Sequence, residues 1–275
     1  MKVFALAFAV AAAAALGPVS AQYEPCDPLL EANKELYVKA LDAIWNKKSQ
    51  AAIDQYLSPT FAQHNPTTAD GTDGLREAMK KFPLPLKLKF GTVVAEGNFV
   101  WDHSYSESYN LLAVDIYRIE NGVLLEHWDI LQALMPAAET ANGRPMFPIT
   151  PTMMPRADGT NACGSDAPTL CVAKTTLQAN KKLVAEAVDL IFNQKDTARM
   201  DDYIAEGYKE NNPFTPDGRE GLKGYIRSLP STYKYELGSS VAGDDLVWLH
   251  GRQSGRPGAL PNITIDIFRI KDGKL

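Results

Sequence analysis

The chain says nearly the same thing twice. Asn33, Leu36, Ile44 and Asn46 recur as Asn180, Leu183, Ile191 and Asn193, each 147 positions later. The same offset carries Tyr56 to Tyr203, Asn65-Pro66 to Asn212-Pro213, Asp70-Gly71 to Asp217-Gly218, Trp101 to Trp248 and His103 to His250. Beyond the histidine the offset becomes 151, so that Asp115 recurs as Asp266 after four extra residues in the 251 to 262 loop. A period of this length is a small complete domain and not the unit of a short-period solenoid. Whatever one half folds into, the other half must fold into as well.

The pattern inside the first copy is helices, then strands. Leu36, Ala40 and Ile44 recur at helical spacing between 32 and 47. Ser49 is suited to cap a second helix that Ser58-Pro59 ends, and Asp73 to cap a short third helix closed by Pro83 and Pro85. Strands are expected over about 86 to 95, 98 to 109, 112 to 120 and 123 to 134, the last two joined by the hairpin turn Asn121-Gly122. This order predicts an α+β domain, with N-terminal helices packed on one face of a curved, mainly antiparallel sheet. Such a domain is placed at 28–136 and again at 173–275, with a Pro-rich linker at 137–172. The sequence stops at Leu275, inside the second hairpin and before any counterpart of Glu126-His127-Trp128-Asp129. A sheet without its last strand has an open edge, and a fragment of a longer protein is expected.

Residues 1–21 read as a secretory signal: Lys2, an apolar run from Val3 to Leu16, and a small-residue cleavage site at Val19-Ser20-Ala21. The run is too short to span a bilayer. A secreted protein admits disulfides, and three cysteines are present. Cys26–Cys163, clasping the first domain, is the favoured pairing; a local Cys163–Cys171 bridge is the alternative. Asn262-Ile263-Thr264 is an N-glycosylation sequon, whereas the proline of Asn65-Pro66-Thr67 excludes that one. A net charge of −5 leaves no footprint for nucleic acid, and no basic amphipathic stretch suggests a membrane surface.

Asp115 interrupts an apolar strand, which is unfavourable for a carboxylate unless it is paired or used. Trp101, His103 and Tyr105 share one face of their strand, and Ala113, Asp115 and Tyr117 share one face of the next. If both sets line the concavity, His103 and Asp115 make an acid–base pair walled by Trp101 and Tyr117, repeated as His250 and Asp266 with Trp248 and Phe268. The bland reading is a structural pair that satisfies two half-buried polar groups. His127 and Trp128 have opposite parity, so only one faces the pocket. His64, His103, His127 and Asp115 also make a nitrogen/oxygen set for a metal, but no HExxH or paired-cysteine ligand spacing accompanies them, and no metal is expected. No nucleotide-binding or nucleophile-elbow motif is present.

Taken together, Gln63-His64-Asn65-Pro66 followed by Asp70-Gly71 and Gly74-Leu75, the Val-Trp-x-His strand and the DIYRIENGVLLEHWDILQ hairpin resemble the SnoaL-like polyketide cyclase family, within the nuclear transport factor 2-like superfamily of cone-shaped domains. The resemblance implies an apolar pocket in each cone and cofactor-free aldol closure or isomerisation of a small carbonyl compound. Asp115 and Asp266 would be the acid/base, assisted by His103 and His250. His64, Asn65, Trp128 and Asn212 are further candidates to bind the ligand. It also implies that such cones pair through their convex sheet faces, here with each other or as a homodimer. A non-catalytic pocket for a small apolar ligand is the alternative.

Overall fold

A computed structural model describes residues 23–147 and 170–275. The expected leader and Cys163 lie outside the described residues, as does most of the linker. The first unit opens with α1 (Pro28–Leu41), whose N-cap Asp27 accepts the Leu29 amide, and runs on into a π-helical turn over Asp42–Asn46. Helix α2 (Gln50–Tyr56) is capped by Ser49, whose hydroxyl accepts the Ala52 amide. Strand β2 (Leu57–Gln63), not among the expected strands, follows and pairs in parallel with a strand far along the chain. Helix α3 (Gly71–Lys81) starts at Asp70 and not at Asp73. The Asp70 carboxylate accepts the Gln63 amide, tying the helix start to the end of β2.

Strands β3 (Leu88–Glu96), β4 (Phe99–Ser106), β5 (Leu111–Glu120) and β6 (Val123–Ala133) complete a five-stranded sheet in the order β2-β6-β5-β4-β3. The second unit repeats the plan after the short strand β7 (Leu170–Val172): α4 (Lys174–Val188), a π-helical turn, α5 (Met200–Tyr203), α6 (Gly218–Ser228), then β8 (Lys234–Gly243), β9 (Leu246–Ser254) and β10 (Asn262–Arg269). These last three form a sheet ordered β10-β9-β8. Each sheet buries one face under its own helices. Tyr37, Ile44, Ile53, Phe61, Met79 and Leu124 anchor the first core. Val184, Ile191, Met200, Ile226 and Leu249 anchor the second.

A third cluster joins the two sheets by their other faces. Val94, Trp101 and Ile116 of the first pack with Val241, Leu246 and Trp248 of the second, and both tryptophans are almost wholly buried. Glu96 fastens the rim, pairing with Lys181 at 2.6 Å and accepting the Ala242 amide. Gly91 and Gly238 sit at matching bulges, where an added Cβ would fall 2.9 or 3.0 Å from the carbonyl oxygen of His103 or His250.

The short strand β1 (Tyr23–Pro25) pairs with β7, and Cys26 is disulfide-bonded to Cys171. This corrects both expected pairings, since the cysteines that meet are those preceding the first helix of each copy. The bond closes a separation of 145 residues. Cross-linking so long a loop restricts the unfolded chain, and its removal is expected to lower stability by roughly 3–5 kcal/mol. Non-reducing peptide mapping should recover Cys26 linked to Cys171. Cys26→Ser should lower the urea midpoint by a matching amount, and an unchanged midpoint would show that the bond contributes nothing.

Candidate active site

The register of β4, β5 and β6 decides which side chains meet. Ser106 lies opposite Leu111 across the loop, so Asp102, not His103, is the residue opposite Asp115. His103 pairs with Val114 and Trp101 with Ile116, on the other face of the sheet. The expected His103–Asp115 pair is therefore absent. His103 is buried against Phe147, with ring centroids 5.3 Å apart, and burial lowers its pKa to about 4. The same holds in the second copy: His250 pairs with Ile265, one position away from Asp266 and on the opposite face. His250 instead approaches the edge of Trp101, and burial lowers its pKa too. Trp101 and Trp248 belong to the contact between the sheets and do not line the cavity of the first domain.

Between β5 and β6 a bulge at Leu125 shifts the pairing by one residue. Ile119 faces Leu124, but Arg118 faces Glu126. From there Tyr117 lies opposite His127, and Asp115 opposite Asp129. His127 is thus the residue that turns inward. Trp128 turns outward against Phe99, and His64 stacks on it with ring centroids 4.5 Å apart. His64 pairs at 2.8 Å with Glu126, which also accepts Arg118. Neither His64 nor Trp128 reaches the pocket.

The inward face carries a connected polar group. His127 Nε2 lies 2.9 Å from Asp115 Oδ1, and His127 Nδ1 lies 2.8 Å from Gln63 Oε1. The same Gln63 oxygen accepts the backbone amide of Asn65. An amide N–H can only donate, so Gln63 presents its oxygen, and His127 Nδ1 must carry a proton. The contact between Nε2 and Asp115 then holds one further proton, as in an imidazolium–carboxylate pair. Asn65 Nδ2 donates to Asp129 Oδ2 at 2.7 Å. Burial, then the charge of Asp115, holds the Asp129 carboxyl above the usual range. Behind them Asp102 is fully buried and accepts the Tyr37 hydroxyl at 2.5 Å; burial raises its carboxyl strongly and Asp115 adds to the rise.

This group closes one end of a cavity of about 160 Å³. Leu41, Trp45, Leu75, Phe82, Leu88 and Leu131 are among its apolar walls, and Asn65, Tyr117 and Asp115 also line it. Asp115, His127 and Asp129 also bring three ligand atoms within 4.8 Å of one another, a nitrogen/oxygen set on which a cation would compete for the Asp115–His127 proton. Sequence reasoning left out Gln63, Asp102 and Asp129 and did not settle His127. Their one signal was alternation with Asp115, read through a register that depends on the bulge.

The second copy arranges the same positions differently. Asp266 is half-buried and accepts the Tyr235 hydroxyl at 2.8 Å, with Thr264 beside it. Burial raises its carboxyl. Gln63 becomes Glu210, bonded by Tyr208, and Asp102 becomes Leu249. Asn212 organises its own loop by accepting the Phe214 amide, Phe268 packs against the second core, and Asn262 lies exposed at the start of β10.

The family model described as SnoaL-like domain matches residues 38–127 and again 184–275. The chain belongs to this family, in two tandem copies. Among solved structures it is similar to TsrD from Streptomyces laurentii, at 20% identity over 39% of this chain and 91% of that one, with a TM-score of 0.33. It is similar also to a SnoaL-like protein of Jannaschia sp. CCS1, at 13% identity over 40% and 91% of the two chains with a TM-score of 0.35. A candidate polyketide cyclase of Bacillus cereus matches at 20% over 34% and 71%, with a TM-score of 0.31. No curated protein matches the chain. No helix among the described residues is long and apolar enough to cross a membrane.

The raised carboxyl of Asp102 has a consequence for stability. Below the ordinary carboxylate value of 3.8 it is neutral whether the chain is folded or not. As pH rises past that value the unfolded chain ionises first, so stability falls until the folded pKa is passed. Urea denaturation of Asp102→Asn from pH 4 to pH 8 should therefore show a shallower loss of stability with rising pH than the parent. Parallel slopes would mean that Asp102 ionises normally in the fold.

Proposed function

We propose that the first domain is a cofactor-independent acid–base catalyst acting on a small carbonyl compound by enolisation, leading to isomerisation or aldol closure. The observation that carries this reading is the 2.9 Å contact between Asp115 and His127 at the polar end of an apolar cavity. Two carboxyl groups in different surroundings, one beside an imidazole and one beside an amide, provide a base and an acid. Asp115, paired with His127, is the base that takes the proton next to the carbonyl. Asp129, whose carboxyl is raised, is the acid that meets the oxygen as the C–H electron pair moves into the enolate. His127, held by Gln63, orients Asp115.

In the second domain the Tyr235 hydroxyl occupies Asp266, and the reading is made for the first domain alone. The Cys26–Cys171 bond supports export to an oxidising compartment, in keeping with the signal read in residues 1–21.

Exchange of the α-hydrogens of a simple cyclic ketone for deuterium, followed by NMR, tests the chemistry without knowledge of the natural substrate. Removing a positioned general base lowers such rates by about 10²–10⁴-fold. Asp115→Asn is expected to fall in this range and His127→Gln to lose somewhat less, while Asp266→Asn stays at the parent rate. Equal exchange by the parent and Asp115→Asn would refute the assignment.

A further inference from the structure

The two copies place different residues at the same two wall positions. Leu86 and Leu88 line the first cavity. Their counterparts, 147 positions on, are Tyr233 and Tyr235, both buried. The match is structural as well as numerical: Asn46 bonds the Leu88 amide at 2.7 Å and Asn193 the Tyr235 amide at 2.8 Å. The Tyr235 ring crosses beneath the sheet so closely that a Cβ at Gly251 would meet it at 2.7 Å, and position 104 in the first copy is a serine. Its hydroxyl ends 2.8 Å from Asp266, the counterpart of Asp115. In the second domain, a single neutral ring bearing one oxygen is therefore built in against the aspartate.

We infer that the first cavity takes from solution what Tyr235 supplies in the second: an uncharged compound with one six-membered ring, whose oxygen reaches Asp115. The inference rests on the acid–base reading only for which oxygen is engaged. Three further observations agree with it. A cavity of about 160 Å³ is close to the roughly 150 Å³ that holds one benzene ring, and below the 300 Å³ or more of sites for drug-sized molecules. Its walls are largely aliphatic and aromatic. Its polar end presents the carboxyl groups of Asp115 and Asp129 beside the His127 imidazole, and the one lining ammonium, Lys81, is bonded to the Thr67 carbonyl, which disfavours an anion.

Isothermal titration calorimetry on the full chain tests the size and charge of the ligand together. The probes are cyclohex-2-enone and acetophenone, the two-ring 1-tetralone, the three-ring anthrone, and benzoate. The one-ring ketones should bind with one site per chain, 1-tetralone at least tenfold more weakly, benzoate at least tenfold more weakly than acetophenone, and anthrone undetectably. Leu88→Tyr, which installs the residue of the second copy, should abolish ketone binding while the thermal midpoint stays near that of the parent. Tight binding of anthrone, preference for benzoate, ketone binding that survives Leu88→Tyr, or no ketone binding at all would each overturn the inference. The acid–base reading fails separately: one-ring ketones that bind without α-deuteration would refute catalysis and leave the ligand class standing.

Discussion

The β-bulge at Leu125 sets the pairing on which the rest of the site depends. A strand alternates its side chains between faces, so slipping the pairing by one residue exchanges everything beyond the slip. Without the bulge, the hairpin from Asn121-Gly122 would set Trp128 opposite Asp115 and send His127 to the outer face. With it, Asp115 stands between Asp102 on one side and Asp129 on the other, and His127 reaches across to its carboxylate. A row of three carboxyl groups in a closed interior is electrostatically unfavourable. Burial and the charge of Asp115 push the outer two up toward their neutral forms, and the contact with His127 offsets the charge of the middle one.

The same register builds the other face of the sheet. Trp101, Ile116 and Trp128 alternate with the polar row and turn outward together, and the second sheet presents Trp248 and Val241 to meet them. The tandem arrangement thereby covers two apolar sheet faces within one chain, while the Cys26–Cys171 bond and the β1–β7 pair hold the starts of the two units together. With the backbone plan shared, the interiors are free to differ. One keeps a cavity beside its aspartate, and the other sets a tyrosine there.

Much of this architecture was legible in the residues. The 147-residue repeat, the Ser49 cap, the four long strands and the Asn121-Gly122 turn are local signals, and local hydrogen bonding and side-chain periodicity produce them. Strand β2 was not legible, because its partner β6 lies some sixty residues further on and only the tertiary fold brings them together. Asp115 was found because a carboxylate inside an apolar strand stands out. Its partner was missed for two distinct reasons. His103 was set on the face of Asp115 by assuming that both alternating sets point inward, although the register across the 107–110 loop puts Asp102 there. His127 was left undecided because a one-residue bulge leaves no mark in composition. The disulfide was missed because long-range cysteine pairing follows the fold, and not proximity in the chain.

Gln63 holds His127 with its Nδ1 protonated, so that Nε2 faces Asp115. Long-range ¹H–¹⁵N NMR of the histidine rings in uniformly labelled protein reads this directly. A protonated Nδ1 on His127, retained in Asp115→Asn and lost in Gln63→Ala, is the predicted result. A bare Nδ1 with the proton on Nε2 alone would contradict the account, since Gln63 would then not be holding the ring and Asp115 would face a neutral donor.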